Sequence, residues 1–147
     1  MLLKNLEKRL FSAGSTPNKT ALWAFHKEKM GAQMVDFAGY SMPVKYPLGG
    51  MKEHLHCRAS VGLFDVSHMG QVRVKGRDAA RFLEKMTVAD TQALAPGQAT
   101  LSLLMLESGG IKDDCIITKV AEDDFYVVLN AGCKHTDLDH MAAYKTS

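Results

Sequence analysis

The chain has 147 residues, 46% hydrophobic and 23% charged, which is ordinary for a globular domain and enough to bury one core. Lys and Arg total 18 against 16 Asp and Glu, a formal charge of +2 that is too balanced and too scattered for a protein gripping a phosphate backbone, so no nucleic-acid partner is expected. No apolar run approaches the roughly 20 residues a membrane-spanning helix requires, and three cysteines, Cys57, Cys115 and Cys133, without paired metal spacing, read as reduced packing residues.

Residues 1–15 stand apart from the expected fold. Leu3, Leu6 and Leu10 recur at helical spacing among Lys4, Lys8 and Arg9, with Glu7 and Glu28 the only acids before Asp36. Arg9-Leu10-Phe11-Ser12 also has the look of a processing site cut after Phe11, so this segment reads as a mitochondrial presequence and predicts a matrix protein. Thr16-Pro17 reads as an N-cap followed by an N1 proline. It predicts a helix that carries Leu22, Phe25 and Lys29 along one side, leaves His26 on its surface and stops at Gly31. A short strand over residues 34–38 follows, and the glycine and proline of Gly39-Tyr40-Ser41-Met42-Pro43-Val44 argue for a shaped loop.

From Met51 to about Ala59 the chain predicts a helix bearing His54, His56, Cys57 and Arg58. The two histidines are two residues apart and point to different sides of a helix, so they read as a polar surface and not as metal ligands. Gln71-Val72-Arg73-Val74 alternates as a half-buried strand does. Just before it, Ser67 and His68 are only chain neighbours, and nucleophile and base are partnered in space, not by adjacency. Ala79, Phe82, Leu83 and Met86 fall at i, i+3, i+4 and i+7, an amphipathic helix entered at Asp78. Ala95-Pro96-Gly97-Gln98 has proline and glycine where a type II turn wants them.

That turn delivers the chain to the stretch carrying the chemistry. Residues 100–106 lead in and residues 111–120 lead out of a hairpin reversing at Ser108-Gly109-Gly110. Alternation puts Asp113 with Ile111, Cys115 and Ile117 on one face, and Asp114 with Ile116, Thr118 and Val120 on the other. Neither face is polar throughout. Either both carboxylates reach water at the strand entrance, or at least one lies beside apolar surface, where going unpaired costs several kcal/mol. A strand over residues 125–129 and a final helix carrying Leu138, Met141 and Ala142 on one face complete an α+β pattern, a mixed or antiparallel sheet layered with helices on one side.

Phe37-Ala38-Gly39-Tyr40-Ser41-Met42-Pro43-Val44, Phe64-Asp65-Val66-Ser67-His68-Met69-Gly70, Gly109-Gly110-Ile111-Lys112-Asp113-Asp114 and Tyr126-Val127-Val128-Leu129-Asn130-Ala131-Gly132 occur in one order and at compatible spacing. Together they resemble the N-terminal part of the glycine cleavage system T-protein, a tetrahydrofolate-dependent aminomethyltransferase. The similarity runs from about Pro17 to about Met141, with Tyr40 where the family usually has tryptophan. The resemblance implies that residues 16–147 are a partial folate-binding region, truncated before the later domains of the family.

It further implies transfer of a methylene unit from the aminomethyl group on the lipoyl arm of H-protein to tetrahydrofolate, with release of ammonia. The folate nitrogens attack an iminium-like carbon, so neither a metal nor a protein nucleophile is needed. One carboxylate orients the folate and stabilises developing positive charge; by motif matching this is Asp114. The same matching puts Met69, Leu101, Tyr126, Val128 and Asn130 in the folate pocket. On their own, Leu101 and Val128 read equally as core, Met69 as a gap filler and Asn130 as a strand-ending turn residue. The family's further folate ligands, a glutamate, an arginine and a tyrosine, come from later domains. Other readings are an inactive truncated folate-fold module, a related folate-dependent demethylase, which would carry a flavin domain ahead of this region, or an iron-sulfur assembly factor, whose cysteine motif lies in a part this chain lacks.

Overall fold

The computed structural model describes residues 16–145. The presequence expected over residues 1–15 lies outside the described residues. Contacts divide the chain into two compact units, with the break between His68 and Met69.

In the first unit, strands β1 (Asn18–Lys19), β2 (Gln33–Phe37) and β3 (Tyr40–Lys45) form a sheet in the order β1-β3-β2, with β1 parallel and β2 antiparallel to β3. The loop expected over residues 39–44 is therefore strand. Ala38 and Gly39, with φ of 53° and 76°, make a two-residue reversal that Asp36 braces by accepting from the Gly39 N–H at 3.1 Å. Pro43 is tolerated because β1 pairs only with Tyr40 and Ser41, and a bulge in β2 lies opposite.

The helix expected to open at Thr16-Pro17 is also corrected. The Asn18 N–H donates to the Gly39 carbonyl at 2.8 Å, which commits this backbone to a sheet. Only a short π-helical turn forms, at Phe25–Lys29, with Leu22 and Phe25 exposed and His26 buried. Helix α1 (Gly50–Ala59) buries none of its residues.

The second unit is a four-stranded antiparallel sheet of β4 (Gly70–Lys75), β5 (Ala99–Met105), β6 (Ile111–Ala121) and β7 (Asp124–Leu129), in the order β4-β7-β6-β5. Helices α2 (Ala79–Met86) and α3 (Lys134–Lys145) pack against one of its faces. Leu83 and Met86 of α2, Met141 of α3, Leu104, Cys115, Ile117, Phe125, Val127 and Leu129 form the core between them. The expected α+β class, with helices on one side of the sheet, describes this unit.

Both turns form as the sequence suggested. Gly97 has φ of 86° and the Gln98 N–H donates to the Ala95 carbonyl at 3.0 Å, as a type II turn requires. Gly109, with φ of 84°, reverses the β5–β6 hairpin. The face of α3 differs from expectation. Asp137 and Met141 are its buried residues, and Leu138, expected inside, is 42% exposed.

Candidate functional site

In an antiparallel sheet, side chains directly opposite one another share a face. Leu101 pairs with Ile116 and Ile116 with Val128; Thr118 pairs with Tyr126, and Leu103 with Asp114. All lie on the face away from the helices. It is an open face: Leu101 is 69% and Ile116 43% exposed, Asp114 is exposed, and Tyr126 and Val128 are half-buried. Leu101 and Val128 are therefore not core residues, although their apolar character alone allowed that. Met69 sits half-buried immediately before β4, in the same alternation as Gln71 and Arg73, whose partners are Val128 and Tyr126.

The face has two polar ends. At one, Arg73 grips Asp124 through Nε at 2.5 Å and an Nη at 2.6 Å, and Lys75 Nζ lies 3.0 Å from the same carboxylate. The Arg73 guanidinium, chiefly, holds the Asp124 carboxyl at about 2. At the other end stands Asp114. Asn130, just past β7, donates from Nδ2 to Asp114 Oδ1 at 2.8 Å and to Asp113 Oδ1 at 3.2 Å, with the Asp114 carbonyl at 3.4 Å. Asn130 was expected among ligand contacts. Its amide hydrogens are engaged with the two aspartates.

The burial argument for the aspartate pair resolves onto Asp113, not Asp114. Asp113 shares its face with buried Cys115 and Ile117, while Asp114 is exposed on the face that carries Leu103 and Ile116. Asp113 adjoins Asp137, which stands in the first turn of α3 and is fully buried. Burial and the adjoining Asp113 carboxyl push Asp137 up to about 7. Sequence reasoning missed Asp137. The available signal was an acid four residues before Met141, on the stripe a helix must bury.

The first unit holds a separate polar cluster that the sequence did not reveal. Tyr46 Oη and His26 Nδ1 are 2.8 Å apart, and His26 Nε2 lies 3.3 Å from Asp65 Oδ2, which also accepts from Thr20 Oγ1 at 2.9 Å. Ser67 closes the other side, its N–H and hydroxyl donating to Asp65 Oδ1 at 3.0 and 2.5 Å. Burial alone would raise the Asp65 carboxyl, but the donors from Ser67, Thr20 and His26 outweigh it and hold the group at about 2. Ser67 is thus a buttress for a carboxylate, not a nucleophile. Among the described residues, no three His, Cys, Asp or Glu side chains are grouped as a metal site requires.

A family model described as the GCVT N-terminal domain matches residues 23–146. The chain belongs to this family. It is 52% identical over 140 residues to the mitochondrial aminomethyltransferase of Dictyostelium discoideum, covering 95% of this chain and 34% of that protein. The mitochondrial aminomethyltransferase of Gallus gallus is 52% identical over 130 residues, covering 88% and 33%. Among solved structures, the glycine cleavage system aminomethyltransferase T from Bartonella henselae superimposes with a TM-score of 0.83 at 43% identity, covering 88% of this chain and 36% of that one. The GCVT N-terminal domain described here thus spans about a third of the length of the curated relatives it matches.

Proposed function

We propose that the open face of the β4–β7 sheet is the folate-binding wall of an aminomethyltransferase of the glycine cleavage system, acting in the mitochondrial matrix. Its substrates on this reading are tetrahydrofolate and the aminomethylated lipoyl arm of H-protein. The observation that carries the proposal is the placement of Asp114, held by Asn130, at the end of a strip made by Leu101, Ile116 and Val128 with Tyr126 beside it. Three adjacent strands span about 10 Å, and a flat apolar strip of that width ending in a carboxylate suits a pterin with its aminobenzoyl ring.

In the reaction two carbon–nitrogen bonds form between the methylene carbon and the folate, while that carbon's bonds to ammonia and to the lipoyl sulfur break. The two protons leaving the folate nitrogens go to the ammonia and the thiol. Leu101, Val128 and Met69 exclude water from one side of the rings, and Tyr126 offers an aromatic edge. Asp114 orients the folate nitrogens and lowers the energy of positive charge developing beside them, an effect that strengthens as water is excluded. Asn130 fixes the carboxylate, so little reorganisation is needed when that charge appears. One wall leaves the site wet, so the reading also assigns turnover to a form in which further domains cover this face.

Equilibrium titration of the chain with tetrahydrofolate, together with a transfer assay with aminomethylated H-protein on a form that carries the covering domains, tests the reading. Asp114→Asn lowers transfer about a hundredfold, and Asp113→Asn lowers it less. Equal turnover in Asp114→Asn and the parent protein would remove the assigned role. Folate binding without turnover would favour a non-catalytic folate-fold module. The demethylase and iron-sulfur readings are set aside because the relatives named above are aminomethyltransferases.

A further inference from the structure

The acid behind the sheet has no function in the scheme above. Both oxygens of Asp137 and Asp113 Oδ2 are buried without a conventional donor. The nearby Thr136 hydroxyl donates to the Cys133 carbonyl at 2.8 Å. The Thr136 hydroxyl also acts on Asp137 and the Cys133 thiol on Asp113, but three carboxyl oxygens of the adjoining pair stay without a partner, and a proton held by one carboxyl group and given to the other lowers the cost of burying both. The remaining oxygen of that pair, Asp113 Oδ1, faces Asn130, whose amide also reaches Asp114. An amide NH2 has two hydrogens, enough to engage both carboxylates at once. A continuous line of side chains therefore joins α3 to the open face: Asp137, Asp113, Asn130, Asp114.

We propose that Asp137 is a positioning residue for Asp114: a proton shared between Asp137 and Asp113 keeps Asp113 Oδ1 turned to Asn130, and the Asn130 amide thereby holds Asp114 on the open face. Its consequence for folate rests on the function proposed above, whereas the proton sharing stands on the geometry. The surrounding groups fit this assignment. Lys112 of β6 is the cation acting on the pair and favours the charged form, against the burial that opposes it. The neighbouring thiols, Cys115 of β6 and Cys133 before α3, are both pushed up by burial and by these carboxylates, so they stay protonated and supply no competing charge. When the shared proton leaves at high pH, two like charges face each other in a buried space and Asp113 must shift, which loosens Asn130.

The test uses the 147-residue chain. The side-chain amide resonances of Asn130 are followed from about pH 5 to about pH 9, a range in which ordinary Asp and Glu do not titrate. In the parent chain they move with a midpoint near neutrality. In Asp137→Asn they are flat and keep the parent position, because a neutral amide donates to Asp113 at every pH. Asp137→Leu, which offers no donor, speeds exchange of the Asn130 amide hydrogens about tenfold and weakens tetrahydrofolate binding about tenfold, the effect of one charge-assisted hydrogen bond. Asp137→Asn at neutral pH binds within about twofold of the parent, and this rescue separates positioning from mere packing. Should the leucine variant not fold, the asparagine variant still decides. Flat Asn130 resonances in the parent chain, or the same titration in parent and Asp137→Asn, would overturn the inference, as would folate affinity unmoved in an Asp137→Leu chain whose Asn130 amide has loosened. If no variant binds tetrahydrofolate yet Asn130 follows Asp137 as described, the relay stands and the folate reading falls.

Discussion

Replacing Asp65 with asparagine probes how the first unit holds itself together. The native carboxylate is 2% exposed and takes hydrogen bonds from Ser67 on one oxygen and Thr20 on the other, with His26 at 3.3 Å. These donors carry its pKa from an ordinary aspartate value down to about 2. A depression of almost two pH units, at about 1.4 kcal/mol per unit, is worth about 2 kcal/mol of folding stability. The sign follows from proton binding: the unfolded chain takes up the proton first as pH falls. The contribution is therefore complete above about pH 4 and disappears as the pH approaches about 2. The protein has one tryptophan, Trp23, whose indole N–H donates to Ser41 Oγ at 2.9 Å and whose ring lies 3.7 Å from Lys19 Nζ, so its fluorescence reports on this unit. In urea titrations read by Trp23, Asp65→Asn is less stable than the parent by about 2 kcal/mol at neutral pH, and the gap closes toward about pH 2.5. A gap of constant size across that range would mean that the charge on Asp65 is not what these donors stabilise.

Two further substitutions separate the core of the second unit from its open face. Leu83 is 1% exposed among Met86, Leu104 and Phe125, so Leu83→Ala costs about 2 to 5 kcal/mol, measurable as a lowered thermal midpoint by circular dichroism. Leu101 is 69% exposed, so Leu101→Ala changes stability by less than about 0.5 kcal/mol. The same change weakens tetrahydrofolate binding about tenfold, the loss expected when an apolar side chain no longer lies against a ring, as titration calorimetry would measure.

The strands and turns of the second unit were legible because their signals are local. Period-two alternation set β4 and β6, and the Pro96-Gly97 and Gly109-Gly110 pairs set their turns through backbone angles that do not depend on distant residues. The face carrying Leu101, Asp114, Tyr126 and Val128 followed from parity once the register was known. Failures came where a long-range partner overrode the local pattern. Pro17 read as a helix start, but β3 draws Asn18 and Lys19 into a sheet. His26 read as a surface residue, but it is buried against Asp65 and Tyr46, 39 and 20 positions along the chain. Leu138 read as core because leucine in a helix usually is, yet Asp137 takes the inward position. The stripe of Met141 marks Asp137 as inward, but no pattern of apolar residues says which strand residue that acid will meet.

Adjacent aspartates on one strand are forced apart in role by the pleat. Whichever one faces the helices must lose its charge or find donors, and the other is free to stay charged toward the open face. Asp113 takes the first position and Asp114 the second, and their shared contact with Asn130 means that neither environment is independent. A carboxylate that must stabilise positive charge gains from being held by an amide that is itself anchored in the protein interior, since the cost of fixing it is met on folding and not at each turnover. The buried Asp113–Asp137 pair then has a consequence for stability opposite in sign to that of Asp65. With its pKa raised, Asp137 binds its proton more tightly in the folded state, so the chain loses stability as the pH rises from about 4 to about 7, where the depressed Asp65 contributes a constant amount. A protein that tolerates this loss retains an acid where a leucine would pack, and the line from Asp137 to Asp114 gives a physical reason for retaining it.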